Sequence, residues 1–207
     1  MEQLKEKGIS TLKPRKIWFD DTVQRLNVDE RGELLGEFTA EDRLLIITQG
    51  GIVKTICPDL ATHFDDDMIV LEIWIPNKPL SAVHYDGDKQ RYYVKRFMID
   101  NPNKEEKFIT DHSKSQLEIV ATDFRPMAEV IFSKRSLEPI QINFEEFIAV
   151  KGIKAIGNQL TTEKIKQVNL LEPLPYEQPK EEDIEVVDEE QVTATDEKEK
   201  PQKKSKK

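Results

Sequence analysis

Lys151, Gly152, Lys154 and Gly157 lie within the run Phe147-Ile148-Ala149-Val150-Lys151-Gly152-Ile153-Lys154-Ala155-Ile156-Gly157-Asn158-Gln159-Leu160-Thr161, and their types and spacing point most directly to chemistry. That chemistry is binding. Glycines let another chain approach the backbone closely, and the two lysines offer ammonium groups to phosphate with no acid–base partner beside them in sequence. The stretch predicts a short apolar strand over 147–150 running into a β-edge suited to a phosphodiester backbone. A second cationic set recurs behind apolar residues at Val53-Lys54, Val94-Lys95-Arg96 and Phe132-Ser133-Lys134-Arg135, with a period of about forty residues. Repeated small antiparallel sheets have such a period. The competing reading is that these cations only cap strand ends and blunt sheet edges.

No residue set suggests catalysis. Asp65-Asp66-Asp67 follows His63, and clustered carboxylates attract hard cations. Consecutive residues of an extended chain point to alternate sides, however, and no Gly and Glu follow at calcium-loop spacing. A solvated turn before an apolar strand is the preferred reading. His84 and His112 have no Cys nearby in sequence, and no nucleophile elbow, phosphate loop or paired-cysteine motif occurs. Trp18 and Trp74 sit in apolar runs, where packing is the default.

The elements that would position these cations read as β throughout. Leu44-Leu45-Ile46-Ile47-Thr48 and Ile52-Val53-Lys54-Thr55-Ile56 flank Gln49-Gly50-Gly51, the strongest hairpin signal in the chain. Leu80 to Tyr85 and Arg91 to Phe97 flank Asp86-Gly87-Asp88, and Asp-Gly favours the tight turns of hairpins. Leu117 to Thr122 and Ala128 to Phe132 read as a further pair around Arg125-Pro126, and a last pair ends at Phe147 to Val150. Helical spacing is confined to a single turn near Phe144 to Glu146.

Composition bounds the rest. With 207 residues, 37% hydrophobic and 34% charged, the chain has material for one modest core and not for a large multidomain enzyme. Cys57 is the single cysteine, and no apolar segment is long enough for a signal or a membrane span, so a reducing, cytoplasmic setting is expected. The net charge of −9 is unevenly placed: 12 acidic and 7 basic residues fall from Glu172 onward, leaving the body only mildly acidic. Any polyanion site must therefore be local. The segment after Glu172 is poor in apolar residues, holds an acidic block and ends in Lys203-Lys204-Ser205-Lys206-Lys207. It reads as a disordered, solubilising tail. The expected organisation is a lead-in segment and first strand over 1–30, a β-domain over 31–171 and a tail over 172–207.

Several motifs together carry a family resemblance. Lys5 to Leu12, Arg15-Lys16-Ile17-Trp18-Phe19-Asp20, Gln24 to Asp29, Tyr93-Val94-Lys95-Arg96-Phe97 and Phe147 to Thr161 resemble, in order, the C-terminal region of the DNA-cleaving subunit of bacterial DNA topoisomerase IV and of its gyrase counterpart, in the Bacteroidetes-like form. The likeness spans roughly residues 4 to 175. It implies an all-β, partial β-pinwheel of about three to four antiparallel four-stranded blades, fewer than full-length domains of the family have. It also implies that duplex DNA is bound and bent around the rim beside the cleavage core. The ATPase subunit, ATP and Mg are parts of the implied holoenzyme, with no cofactor in this chain and a nucleoid-associated location. The family's nucleophilic tyrosine follows an arginine in a different, winged-helix domain, so no catalytic residue is expected here. Arg91-Tyr92 imitates that pair, but Tyr92 alternates within a strand and reads as a packed aromatic. Lys151 to Gly157 is at most a degenerate echo of the gyrase box, which favours the topoisomerase IV side of the family.

Two function classes follow. One is a DNA-binding pinwheel whose contacts are Lys54, Lys95, Arg96, Lys134, Arg135, Lys151 and Lys154, read as a rim of phosphate-binding side chains. The other is a propeller-like protein-interaction module, for which mild acidity is natural. A continuous rim of these cations favours the first, and scatter favours the second.

Overall fold

The computed structural model describes residues 13–176, which form one compact unit. Four antiparallel sheets follow one another along the chain. The first holds β1 (Arg15–Asp20), β2 (Arg25–Asn27) and β3 (Glu33–Phe38). The second holds β4 (Leu44–Thr48), β5 (Ile52–Ile56), β6 (Met68–Ile73) and the short β9 (Glu106–Lys107). The third holds β7 (Leu80–Asp86), β8 (Arg91–Phe97), β10 (Gln116–Ala121) and β13 (Asn158–Thr161). The fourth holds β11 (Met127–Phe132), β12 (Ile140–Asn143) and β14 (Ile165–Leu171), with the single helical turn α1 (Phe144–Phe147) after β12.

The blades share one wiring. Two strands form a hairpin, the third returns beside the first, and the fourth position, beside the second strand, is filled from the following blade. Thus β9, from the connection between β8 and β10, completes the second blade, and β13, from the connection between β12 and β14, completes the third. In the first blade this position is reduced to one bridge, Arg25 to His63. Among the described residues nothing pairs with the outer side of β12. This is a β-pinwheel, whose exchanged strands tie neighbouring blades together by backbone hydrogen bonds.

Apolar faces on successive blades make three cores. Ile17, Leu26 and Phe38 pack with Leu44, Ile46 and Phe64; Leu45, Ile47 and Val53 with Leu80, Ala82 and Phe97; and Val83, Tyr92 and Val94 with Ala128, Val130 and Phe144. β4 is buried on both sides because alternate residues serve two cores. Each such side chain contributes on the order of 1.5–3 kcal/mol, so adjacent blades depend on each other for their cores. The edges formed by β3, β6, β10 and β14 converge on one cleft. The donated strands lie on the opposite edges, along the outer rim.

The structure corrects several expectations. β10 and β11 do not pair: β10 joins β7 and β11 joins β12 and β14. The intervening Asp123 to Pro126 crosses between blades, with Pro126 fully buried. Sequence adjacency of two β-prone runs does not choose their partners. Phe147 to Val150 is not a strand: Asn143 caps α1 by accepting the Glu145 N–H through its side chain, and the chain then runs extended to Lys151. The boundary expected between residues 30 and 31 falls between β2 and β3 of one sheet. The repeat is also less regular than the cation spacing implies, since the blades begin at Arg15, Leu44, Leu80 and Met127. The tail expected from Glu172 lies outside the described residues beyond Tyr176.

Candidate nucleic-acid interface

Donated strands gather cations on the outer rim. Around β9, the Lys54 Nζ stands 3.5 Å from Glu105 and the Lys104 Nζ 3.1 Å from Glu106. The Lys107 Nζ is 2.7 Å from Asp111, and Lys154 reaches from the next connection to within 3.6 Å of Glu106. Around β13, the Lys151 Nζ donates to Asn158 Oδ1 at 3.0 Å, and the Arg91 Nη1 donates to Gln159 Oε1 at 2.8 Å. Six cations thus stand with three carboxylates, Glu105, Glu106 and Asp111, in a chain whose overall charge is negative. Lys104 and Lys154 leave 60% and 68% of their side chains in solvent, so their ammonium groups remain available to a polyanion.

Of the residues named from sequence, the structure brings Lys54, Lys151 and Lys154 to this rim. Lys134 and Arg135 are exposed in the turn between β11 and β12 of the fourth blade, apart from it. Lys134 therefore follows a first strand, whereas Lys54 and Lys95 lie on second strands, and the apparent period was partly coincidental.

Lys95 and Arg96 are not rim residues. Lys95 is 3% exposed, and its Nζ donates to the carbonyls of Phe108 and Ile153, both at 2.5 Å. It pins the connection carrying β9 to the connection carrying β13. Burial, reinforced by the Lys154 charge, lowers its pKa from 10.5 to about 8. Arg96 is 8% exposed and donates from Nη2 to the Phe124 carbonyl at 2.8 Å, and burial lowers its pKa as well. Both side chains point into inter-blade space because alternation along β8 sends these consecutive residues to opposite faces of the third blade, each of which packs against a neighbouring connection, which the spacing of charges did not reveal. Beside Lys95, His84 is 1% exposed, and burial first, then the Lys95 charge, lowers its pKa from 6.5 to about 4.

The sequence reading missed Arg91, Lys104 and Lys107. For the two lysines the signal was present in the loop rich in Lys and Glu before Phe108, but its role as a donated strand was not legible there. Tyr92 is 7% exposed with its ring 4.9 Å from that of Tyr85, a packed aromatic and no exposed nucleophile. Among the described residues no three His, Cys, Asp or Glu side chains gather where one metal ion could be held, and no helix is long and apolar enough to cross a membrane.

Strand exchange between small antiparallel blades places the described residues in the β-pinwheel class of domains. Residues 25–172 match the family described as the topoisomerase C-terminal domain of Bacteroidota. The chain belongs to that family. Among solved structures it is similar to a C-terminal domain of DNA topoisomerase IV, at 16% identity over 80% of this chain and 63% of that one, with a TM-score of 0.53. A likeness to the E. coli ParC C-terminal domain has 10% identity over 77% of this chain and 80% of the other, with a TM-score of 0.49. No curated protein matches in sequence.

Proposed function

We propose that this domain binds and bends duplex DNA on its outer rim and presents it to the cleavage core of a type II topoisomerase. The observation that carries the reading is the local excess of cations along β9 and β13. Membership of the topoisomerase C-terminal family supports it. Affinity comes from lysine and arginine contacts to phosphates and the associated release of counterions, so sequence preference is small. The proposed contacts are Lys54, Lys151 and Lys154, joined by Arg91, Lys104 and Lys107, with Lys134 and Arg135 as a separate outlying pair. In this reading the cleavage core and the ATP-hydrolysing subunits of the holoenzyme are the protein partners, ATP and Mg serve that holoenzyme, and the site of action is the nucleoid.

Fluorescence anisotropy with duplexes of several sequences tests the proposal. The double variant Lys151→Glu/Lys154→Glu places two acids where phosphate would lie, and it should weaken all duplexes alike by about tenfold or more. Circular dichroism should show the β-fold retained, since both side chains are exposed. Unchanged affinity in the folded variant would remove the rim from the mechanism and favour the protein-interaction reading.

A further inference from the structure

The second and third blades repeat one arrangement on the face turned toward the preceding blade. A hairpin supplies the floor, and the connection that feeds the preceding blade lies over it. In the third blade Lys95 crosses this space, its ammonium is held by the Phe108 and Ile153 carbonyls, and a smaller cavity of about 230 Å³ remains beside it. In the second blade the corresponding space, between β4–β5 and residues 57–67, is a cavity of about 360 Å³.

Its walls differ in kind from its mouth. Ile46, Phe64 and Met68 provide apolar surface. Thr48 lines the same cavity at 7% exposure, and its Oγ1 has no hydrogen-bond partner, a costly arrangement for a buried hydroxyl. Asp59, Asp65 and Asp67 also line it. Among the described residues none of the three carboxylates lies within 4.0 Å of a cationic side chain. Asp59 accepts the Ala61 N–H at 2.9 Å through one oxygen. Lys54 is the one lysine in the lining, and its Nζ is already 3.5 Å from Glu105. The charge balance therefore favours an incoming cation over an anion.

We infer that this cavity binds an aliphatic primary ammonium, the group that Lys95 supplies to the third blade from within the chain. Methylene groups replace water against Ile46, Phe64 and Met68, the carboxylates balance the charge, and the Thr48 hydroxyl gains the partner it lacks. Such a ligand has two sources: a free diamine or polyamine, or the lysine side chain of a partner protein.

Isothermal titration calorimetry of the full chain at low salt, with cadaverine and with Nα-acetyl-lysine amide, separates them. Saturable one-to-one binding of cadaverine is expected, weakened at least tenfold in Asp65→Asn/Asp67→Asn and about fivefold in Thr48→Val. Thr48→Ser keeps the hydroxyl and should retain binding, which separates loss of the ligand's partner from loss of packing. Both aspartates are exposed, so their variants should keep the wild-type melting temperature. The uncharged five-carbon alcohol 1-pentanol should not bind measurably. Equal or tighter binding of acetyl-lysine amide assigns the site to a partner's lysine, and binding of cadaverine alone assigns it to free amines. Non-saturable heats, indifference to the double Asn variant, or equal binding of 1-pentanol would each overturn the inference.

Discussion

Lys95 shows how one charge can organise a blade junction without meeting a ligand. A protonated lysine in this position loses water and gains two carbonyl acceptors, while the neutral amine still has two N–H groups to donate to them. The folded state therefore holds the extra proton less tightly than the unfolded chain does. Between about pH 8, the folded value, and 10.5, the ordinary one, the unfolded state binds more protons and stability rises with pH. The expected gain is at most about 1.4 kcal/mol per pH unit over this window. Thermal melts at pH 7.5, 8.5 and 9.5 should show it in the native chain and lose it in Lys95→Met, which also leaves two carbonyls unpaired. A melting temperature that falls from pH 7.5 to 9.5 in the native chain would contradict this account.

His84 acts in the same direction on the acid side. Its folded value of about 4 lies below the ordinary 6.5, so its contribution is intact above 6.5 and is lost as pH falls toward 4. Replacing His84 with Gln removes this dependence, and the slope of stability against pH between 6 and 4.5 should be shallower in the variant. Denaturant titrations at those two pH values measure it.

At the level of elements, exchanged strands are where the fold is most exposed to single changes. Gly157 precedes β13 with φ of +98°, and a Cβ there would stand 2.2 Å from the Val94 carbonyl oxygen. Only glycine lets this segment reach β8 in register. Gly157→Ala is expected to cost on the order of 2–3 kcal/mol and to loosen β13 before the rest of the third blade. Urea unfolding gives the first quantity, and amide exchange at Gln159 and Leu160 gives the second. Unchanged protection in β13 would show that the strand docks without this approach. Gly51 has a related duty in the β4–β5 turn: with φ of +72°, its carbonyl accepts the Phe108 N–H at 2.8 Å, so one residue closes a hairpin and receives the next blade's connection.

At the scale of the whole molecule, the proposed DNA-binding rim has a small net positive balance. A chain of net charge −9 gains little from bulk attraction, and binding should be governed by the few phosphates the rim meets. With roughly three to five phosphates contacted, the logarithm of affinity should fall against the logarithm of salt with a slope of about −3 to −5. Lys151→Glu/Lys154→Glu should make that slope shallower by about two. A slope near zero in the native chain would exclude phosphate contact as the source of affinity.

The hairpins β4–β5 and β7–β8 were legible in the sequence because glycine turns and flanking β-branched runs are local signals, and the helical turn at Phe144 was legible for the same reason. So was the family likeness, carried by short motifs kept in order. The partners of β9, β10 and β13 were not, because a strand's hydrogen bonds can be satisfied by any free edge, and the nearest edge in space belongs to another blade. The proposed site divides along the same line. Lys151 and Lys154 could be named from residue type and neighbouring glycines. The inward aim of Lys95 and Arg96, and the arrival of Lys104 and Lys107 at the rim, follow from blade packing and strand exchange, which only the tertiary structure determines.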